Sequence, residues 1–274
     1  MDYWKKLSKP TKEIQDILEW GIPEQKTGFI SVIGGNSQSF STEVRITEFL
    51  SHQQIKSTQL ILPDALQKKI PPIPGIDFTK STEAGSFARS KELNDFIAST
   101  DFALVLGDVS KNSETSIALS DAIRESSPLT NSKSDVMNDT PILLTRDAVD
   151  STLASANDFI ERKNLFYVAT LSQLQKLFRS LMYPKMILLS NPLMPVIEAL
   201  HKFTLSYEGV TILTFHEGQI IVANQGNIVT IPLDATSYSA ISLWSGELAA
   251  KIALLNLWNP SKPIDATTSA IFWN

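Results

Sequence analysis

Short apolar runs alternate with amphipathic stretches along most of the chain. Runs of four or five apolar residues bounded by glycine, proline or polar residues predict buried strands, and apolar residues three or four positions apart predict helices. Strands are predicted at 29–33, 59–62, 102–106, 141–144, 165–168, 186–189 and 210–213. Helices are predicted at 14–20, 42–49, 91–98, 113–123, 147–153 and 195–207. This alternation predicts an α/β fold with a mostly parallel sheet and helices on both of its faces.

The pattern changes after residue 218. Two apolar runs, at 219–222 and 228–231, flank Gly226-Asn227 and predict an antiparallel hairpin at one edge of the sheet. A final helix is predicted from Ser245 to Leu255. We interpret residues 1–274 as a single domain in which 1–25 form an N-terminal helical extension, and the polar segment 125–140 as a mobile loop.

Composition narrows the class of protein. The chain is 43% hydrophobic and 19% charged, which suits a buried core. Its net charge is -5 and no stretch is densely basic, so we expect no nucleic-acid partner. There are no cysteines, no apolar run of 18 residues and no signal-peptide pattern, so we expect no thiolate chemistry, no membrane partner and a cytoplasmic location. With three histidines and no pair at ligand spacing, no metal site is predicted.

Candidate chemistry stands near the two ends of the chain. Gly34 and Gly35 close the first predicted strand, and such turns line ligand crevices in open α/β sheets. Ser245, Gly246 and Glu247 open the last helix, where backbone N–H groups can form an anion site beside a carboxylate. The alternative is a helix start without a ligand, with Ser245 as the N-cap residue and Glu247 favoured by the helix dipole.

The order of these motifs resembles the ribokinase-like superfold, and most closely the ADP/ATP-dependent NAD(P)H-hydrate dehydratases. The resemblance covers roughly residues 26–272 and rests on order and spacing more than on identities. The segments that carry it are Lys26-Thr27-Gly28, Gly34-Gly35-Asn36, Gly107-Asp108-Val109-Ser110, Asp147-Ala148, Val168-Ala169-Thr170, Leu213-Thr214 and Ser245-Gly246-Glu247. It implies a three-layer α/β/α sandwich and a protein that is commonly homo-oligomeric.

The resemblance also implies an activity. ATP or ADP, with or without Mg²⁺, would phosphorylate the hydroxyl of a hydrated nicotinamide-type molecule, and phosphate would then be eliminated, which makes the enzyme a carbon–oxygen lyase. Glu247 would be the catalytic base. The expected nucleotide-binding residues are Ser245, Gly246 and Thr214. The expected substrate-binding residues are Gly34, Gly35, Asn36, Gly107 and Thr170.

Several positions depart from the family pattern. Glu247 replaces an aspartate, Trp244 replaces a glycine, and Thr214-Phe215 stands where a lysine and a glycine bind nucleotide phosphates. Asp108 would repel a substrate phosphate unless a cation intervened. The sequence therefore leaves three functions open: a divergent dehydratase with impaired catalysis, a non-catalytic protein that binds a nucleotide or a partner, and a small-molecule kinase.

Overall fold

The computed structural model describes residues 2–71, 73–126 and 140–273. The predicted loop at 125–140 lies almost wholly outside these residues. The described chain contains one ten-stranded sheet with the order β1-β10-β9-β8-β7-β6-β5-β2-β3-β4. Its strands are β1 (Trp4–Lys6), β2 (Phe29–Gly34), β3 (Ser57–Pro63), β4 (Ile76–Thr79), β5 (Phe102–Gly107), β6 (Ile142–Thr145), β7 (Leu165–Val168), β8 (Val210–His216), β9 (Gln219–Asn224) and β10 (Asn227–Pro232).

The sheet is mostly parallel, as predicted. β9 is antiparallel to both β8 and β10, and the remaining neighbours pair in parallel. The predicted hairpin is therefore confirmed, although β1 lies outside it and pairs with β10. The pattern analysis missed β1 because three residues, of which two are lysines, carry no strand periodicity. The single-domain interpretation stays a prediction.

Two helical layers cover the sheet. The described helices are α1 (Lys12–Trp20), α2 (Ser41–Ser51), α3 (Lys91–Ala98), α4 (Ser113–Glu125), α5 (Asp147–Thr152), α6 (Leu171–Ser180), α7 (Leu193–Ser206), α8 (Glu247–Trp258) and α9 (Pro263–Phe272). Helices α3 to α7 share one apolar core with the sheet, and α1, α2, α8 and α9 share the other. No helix in the described part of the chain is long and apolar enough to cross a bilayer.

One predicted strand was wrong, and one further strand, β4, and two helices were missed. Residues 186–189 form no strand; Ile187 is buried, but Met186, Leu188 and Leu189 are exposed. The segment connects α6 to α7 on the surface, so its apolar run has no neighbouring strand with which to pair. Helices α6 and α9 were not predicted.

The chain reverses its direction of travel across the sheet at β2. From β2 it moves outward through β3 and β4, and it then returns to the other side of β2 as β5 and continues through β6 and β7. In open α/β sheets the ligand crevice lies at the carboxyl ends of the strands at such a switch point. The carboxyl ends of β2 and β5 are therefore the first place to look for a site.

Candidate functional site at the carboxyl ends of β2 and β5

Two glycines let the ends of β2 and β5 approach each other. The Gly35 N–H donates to the Gly107 carbonyl at 2.8 Å. A Cβ on Gly34 would lie 2.6 Å from that carbonyl oxygen, and one on Gly107, at φ +112°, would lie 2.1 Å from Oδ1 of Asp147. Both glycines are thus required by close packing and, at Gly107, by a backbone conformation that other residues rarely adopt.

A buried carboxyl group lies against this junction. Glu43, in the first turn of α2, is completely shielded from solvent, and its Oε1 lies 2.8 Å from the position of a Cβ on Gly34. Neither carboxyl oxygen has a hydrogen-bond partner among the described residues. Burial, and secondarily the charge of Asp108, raises the pKa of Glu43 to about 8. The group is therefore mostly protonated at neutral pH.

Sequence reasoning did not find Glu43, although a signal was present. Glu43, Ile46 and Leu50 follow one another at helical spacing, and all three are buried. An acidic residue on the apolar face of a helix must be neutralised or paired, because a buried charge is costly. That pattern is a signal for a functional side chain.

An ion pair with strained backbone lies beside Glu43. Nη2 of Arg146 donates to Oδ1 of Asp108 at 2.7 Å, and the two side chains keep 25% and 15% of their exposure. Asp108 follows β5 with φ +52°, and Arg146 follows β6 with φ +54°. Non-glycine residues held in this region tend to cluster at functional sites. Nη1 of Arg146 is buried and has no hydrogen-bond partner among the described residues.

Hydrogen bonds fix the cluster around this pair. The Asn36 side-chain amide donates to the Asp108 carbonyl, and the Asp108 N–H donates to Oδ1 of Asp147 at 2.6 Å. Burial raises the pKa of Asp147. The side-chain amide of Gln173 donates to the Arg146 carbonyl at 2.6 Å. We call Asn36, Glu43, Asp108, Arg146 and Asp147 the switch-point cluster.

The switch-point cluster is electrostatically unsuited to a phosphate. It contains three carboxyl groups and one guanidinium, so it stays net negative even with Glu43 protonated. A phosphate at this point would meet repulsion at short range. In addition, the Arg146 guanidinium is already engaged by Asp108.

The predicted anion site at the start of α8 is packed. Gly246 is the N-cap residue, at φ +92°, and no side chain caps the helix, so the expectation that Ser245 is the N-cap was wrong. A Cβ on Gly246 would lie 3.3 Å from Ile46 and 3.4 Å from Leu106. The Ser245 carbonyl accepts a hydrogen bond from Nη2 of the exposed Arg45 at 2.6 Å.

The expected catalytic carboxylate is engaged elsewhere. Glu247 pairs with Nζ of Lys251, one helical turn later, at 3.4 Å, and its side chain is 41% exposed. Lys251 also donates to the Trp273 carbonyl at 2.8 Å. Burial, and then the charge of Glu247, raises the pKa of Tyr238, which places this tyrosine near the carboxylate. Glu247 therefore faces the region between α8 and the end of α9.

The structure brings some of the predicted site residues together and separates others. Gly34, Gly35, Asn36 and Gly107 meet at the switch point. Gly246 is adjacent through its contact with Leu106.

Thr170 and Thr214 lie outside this group. Thr170 caps α6 in a capping box with Gln173, whose side chain in turn donates to the Arg146 carbonyl of the switch-point cluster. Thr214 is completely buried. Its neighbours along β8, Leu213 and Phe215, belong to the apolar core that α1, α2, α8 and α9 share with the sheet, which we call the α8-side core. Because side chains alternate along a strand, Thr214 faces the other layer.

No group of three or more His, Cys, Asp or Glu side chains that could hold a metal ion occurs in the part of the chain that is described. The two aromatic residues that stand in place of family glycines, Trp244 and Phe215, are half-buried against the α8-side core.

Comparison with known proteins decides the fold. No protein-family model matches the sequence, and no curated protein sequence matches it significantly. Among solved structures, a ribokinase-like superfamily protein from Enterococcus faecalis superposes with a TM-score of 0.66 over 99% of this chain and 86% of its own, at 14% identity. The chain has a ribokinase-like fold.

Two further ribokinase-like structures extend the comparison. An ADP/ATP-dependent NAD(P)H-hydrate dehydratase from Bacillus subtilis, co-crystallised with ATP and Mg²⁺, matches with a TM-score of 0.51 at 11% identity over 92% of this chain and 82% of its own. A pyridoxal kinase from the same organism, in complex with ADP, matches with a TM-score of 0.50 at 10% identity, over 89% of each chain. Structures of this fold thus include a lyase and a kinase that bind adenine nucleotides.

Proposed function

We propose that this chain is a non-catalytic, small-molecule-binding member of the ribokinase-like fold, related in architecture to the NAD(P)H-hydrate dehydratases. The observation that carries this proposal is Glu43, a carboxyl group buried at the junction of Gly34 and Gly107, where the fold places its ligand crevice. A dehydratase or kinase must bring phosphate to this part of the molecule.

The residues expected to bind nucleotide phosphates or to act as the catalytic base are not arranged for those roles in this structure. Glu247 is paired with Lys251 instead of facing the switch-point cluster. Thr214 offers no positive charge and faces the other layer of the molecule. Gly246 is buried, and a Cβ at this position would touch Ile46 and Leu106, so the start of α8 packs against α2 and β5. ATP, ADP and Mg²⁺ are therefore not assigned a site.

One observation favours the alternative, a catalytic dehydratase or kinase. Arg45 is exposed and holds the Ser245 carbonyl at 2.6 Å, so a cation stands beside the N-terminus of α8. A helix N-terminus with an adjacent guanidinium is a favourable environment for phosphate. If a nucleotide binds, this is where its phosphates would lie.

Thermal unfolding in the presence of ADP, ATP, AMP or NADPH, each with and without Mg²⁺, tests the proposal. A ligand that binds only the native state at a hundred times its Kd adds about 2.7 kcal/mol to the free energy of unfolding. We expect no shift of the melting temperature with any of these ligands. The contrary result would be a rise in melting temperature that Arg45→Ala abolishes and that the control variant Glu48→Ala, at another exposed position of α2, retains. That result would contradict the proposal and support the nucleotide site.

A further inference from the structure

A cavity of about 590 Å³ opens at the end of the sheet opposite the switch-point cluster. It is lined by Gly28 and Asp101, which directly precede the parallel strands β2 and β5. Helices α1 and α8 also end at its wall, at Trp20 and Trp258. Cavities that hold small molecules are typically about 300 to 1,000 Å³ in volume. This cavity therefore has the size of a ligand site, at the amino ends of the strands.

The electrostatic character of the cavity is negative. The C-terminus of a helix carries a partial negative charge, and neither α1 nor α8 has a basic residue in its last turn to offset it. The carboxylate of Asp101 adds a full negative charge, and its Oδ2 is held by the Phe29 N–H at 2.9 Å. No lysine, arginine or histidine occurs among the described residues that line the cavity. A cation is therefore the ligand that this charge distribution favours.

The hydrogen-bond donors of the cavity wall do not offset this preference. The side-chain amide of Asn259 donates to the carbonyls of Gly21 at 3.1 Å and Leu255 at 3.0 Å, so it is already engaged. Nε1 of Trp258 is buried and therefore offers the cavity no donor. The remaining side-chain donors of the lining, such as the Thr27 hydroxyl, are neutral. An anionic ligand would find no charged partner here.

Two indole side chains give the cavity its apolar surface. Trp20 is 81% exposed, although it is a large apolar side chain. Trp258 is half-buried and packs edge to face against Trp273, with the ring centroids 6.1 Å apart. Tryptophan is the aromatic residue that attracts a cation most strongly, and such rings recognise alkylated ammonium groups. The combination of indole rings with a carboxylate is thus suited to an organic cation more than to a metal ion.

We propose that this cavity binds a small organic cation of the substituted-ammonium class. Its positive charge is attracted by Asp101 and by the ends of α1 and α8, and its alkyl groups contact Trp20 and Trp258. The site goes beyond the proposed function, because it lies at the other end of the sheet and takes a ligand of opposite charge to phosphate.

Three ligands of the same shape test the inference. They are choline, the neutral alcohol in which carbon replaces the nitrogen of choline, and tert-butylacetate, the corresponding anion. The indole N–H signals of the five tryptophans would be followed in ¹⁵N-labelled protein, with Trp20 and Trp258 assigned by replacement with phenylalanine. We expect choline to shift the signals of Trp20 and Trp258 saturably, the alcohol to bind more weakly and tert-butylacetate to have no effect.

Variants of the charged and aromatic groups separate their contributions. Asp101→Asn removes the charge but keeps an oxygen that can accept from the Phe29 N–H, and Trp20→Ala changes an exposed side chain. Each should weaken choline binding about two- to fivefold. Asp95→Asn, at an exposed position of α3 outside the cavity, makes the same change in net charge and should leave the affinity unchanged. If Trp20→Ala does not fold, the contrast between Asp101→Asn and Asp95→Asn still decides.

Every other outcome overturns the inference. Equal affinity for choline and the neutral alcohol would show an apolar site that does not recognise charge, and preference for tert-butylacetate would show an anion site. Choline-induced shifts at Gly34 and Gly107 instead of the two tryptophans would place the cation at the switch-point cluster. No binding of choline at about a hundred millimolar would mean that the cavity is not a site for this class. None of these results involves phosphate, so the nucleotide titrations test the proposed function separately.

Discussion

At the residue scale, the stability of the protein should depend on the protonation of Glu43. Its pKa in the folded protein is raised from 4.5 to about 8. Between these values the folded state keeps a proton that the unfolded chain has released, so the free energy of unfolding should fall as the pH rises through this range. Above the folded pKa, the full cost of burying the charge is present.

Glu43→Gln tests this dependence, because the amide does not titrate in the range. The variant should match the wild type near pH 5, and its relative free energy of unfolding should rise by up to about 5 kcal/mol by pH 9, measured by urea denaturation. Glu48→Gln, at an exposed position of α2, is the control and should change the stability by less than about 0.5 kcal/mol. If the free energies of unfolding of Glu43→Gln and the wild type changed in parallel with pH, the raised pKa of Glu43 would be contradicted.

The close approach of β5 to α5 should make Gly107 irreplaceable. Gly107→Ala forces a side chain into the left-handed region and to within 2.1 Å of Asp147. Gly218, at φ +74°, has nothing within 4 Å of the same position, so Gly218→Ala carries the conformational cost alone. We expect Gly218→Ala to cost about 1 kcal/mol and Gly107→Ala at least about 2 kcal/mol in chemical denaturation. Equal losses of unfolding free energy in the two variants would show that the Asp147 side chain can move away from the added methyl group at no cost.

At the element scale, the start of α6 supports the switch-point cluster. The hydroxyl of Thr170 accepts from the Gln173 N–H at 3.3 Å, and the Gln173 side chain in turn holds the Arg146 carbonyl. Thr170→Ala should lower the free energy of unfolding by about 1 kcal/mol, and Thr170→Ser should preserve it. A loss of equal size in both variants would assign the effect to the methyl group and not to the cap.

Sequence periodicity predicted those elements whose pattern is set by burial on the sheet. The boundaries of α3 and β7 match their predicted ranges, because apolar residues fill the face or run that packs and polar residues end it. The exposed apolar run at 186–189 and the three-residue β1 could not be predicted in this way. In both cases the outcome depends on whether a neighbouring strand is available, which is a property of the tertiary structure.

The candidate site was only partly accessible from the sequence. The turn at Gly34 and Gly35 was predicted because glycines at a strand end are a local signal, whereas Asn36 and Gly107 were expected as site residues from the family resemblance. Glu43 was missed because it lies in the first turn of a helix and not at a strand end. The Asp108–Arg146 pair joins the ends of two strands 38 residues apart, and no local pattern reports such a contact.

At the scale of the whole molecule, the fold and the chemistry separate. The ribokinase-like architecture of the Enterococcus faecalis protein is matched over 99% of this chain, although the two sequences are only 14% identical. The side chains at the carboxyl ends of β2 and β5 nevertheless belong to a net negative cluster whose single guanidinium, that of Arg146, is paired with Asp108. A fold can host unrelated functions when the residues at its crevice change. The homo-oligomeric state implied by the resemblance stays a prediction.

The backbone amide signals of the 11 glycines provide the most direct test of the account. They would be assigned in ¹⁵N-labelled protein and followed on addition of ADP with Mg²⁺. If the crevice does not accept phosphate, the signals of Gly34, Gly107 and Gly246 should stay in place up to millimolar nucleotide. A saturable shift of Gly246 together with Gly34 would contradict the central claim and identify a nucleotide site at the switch point.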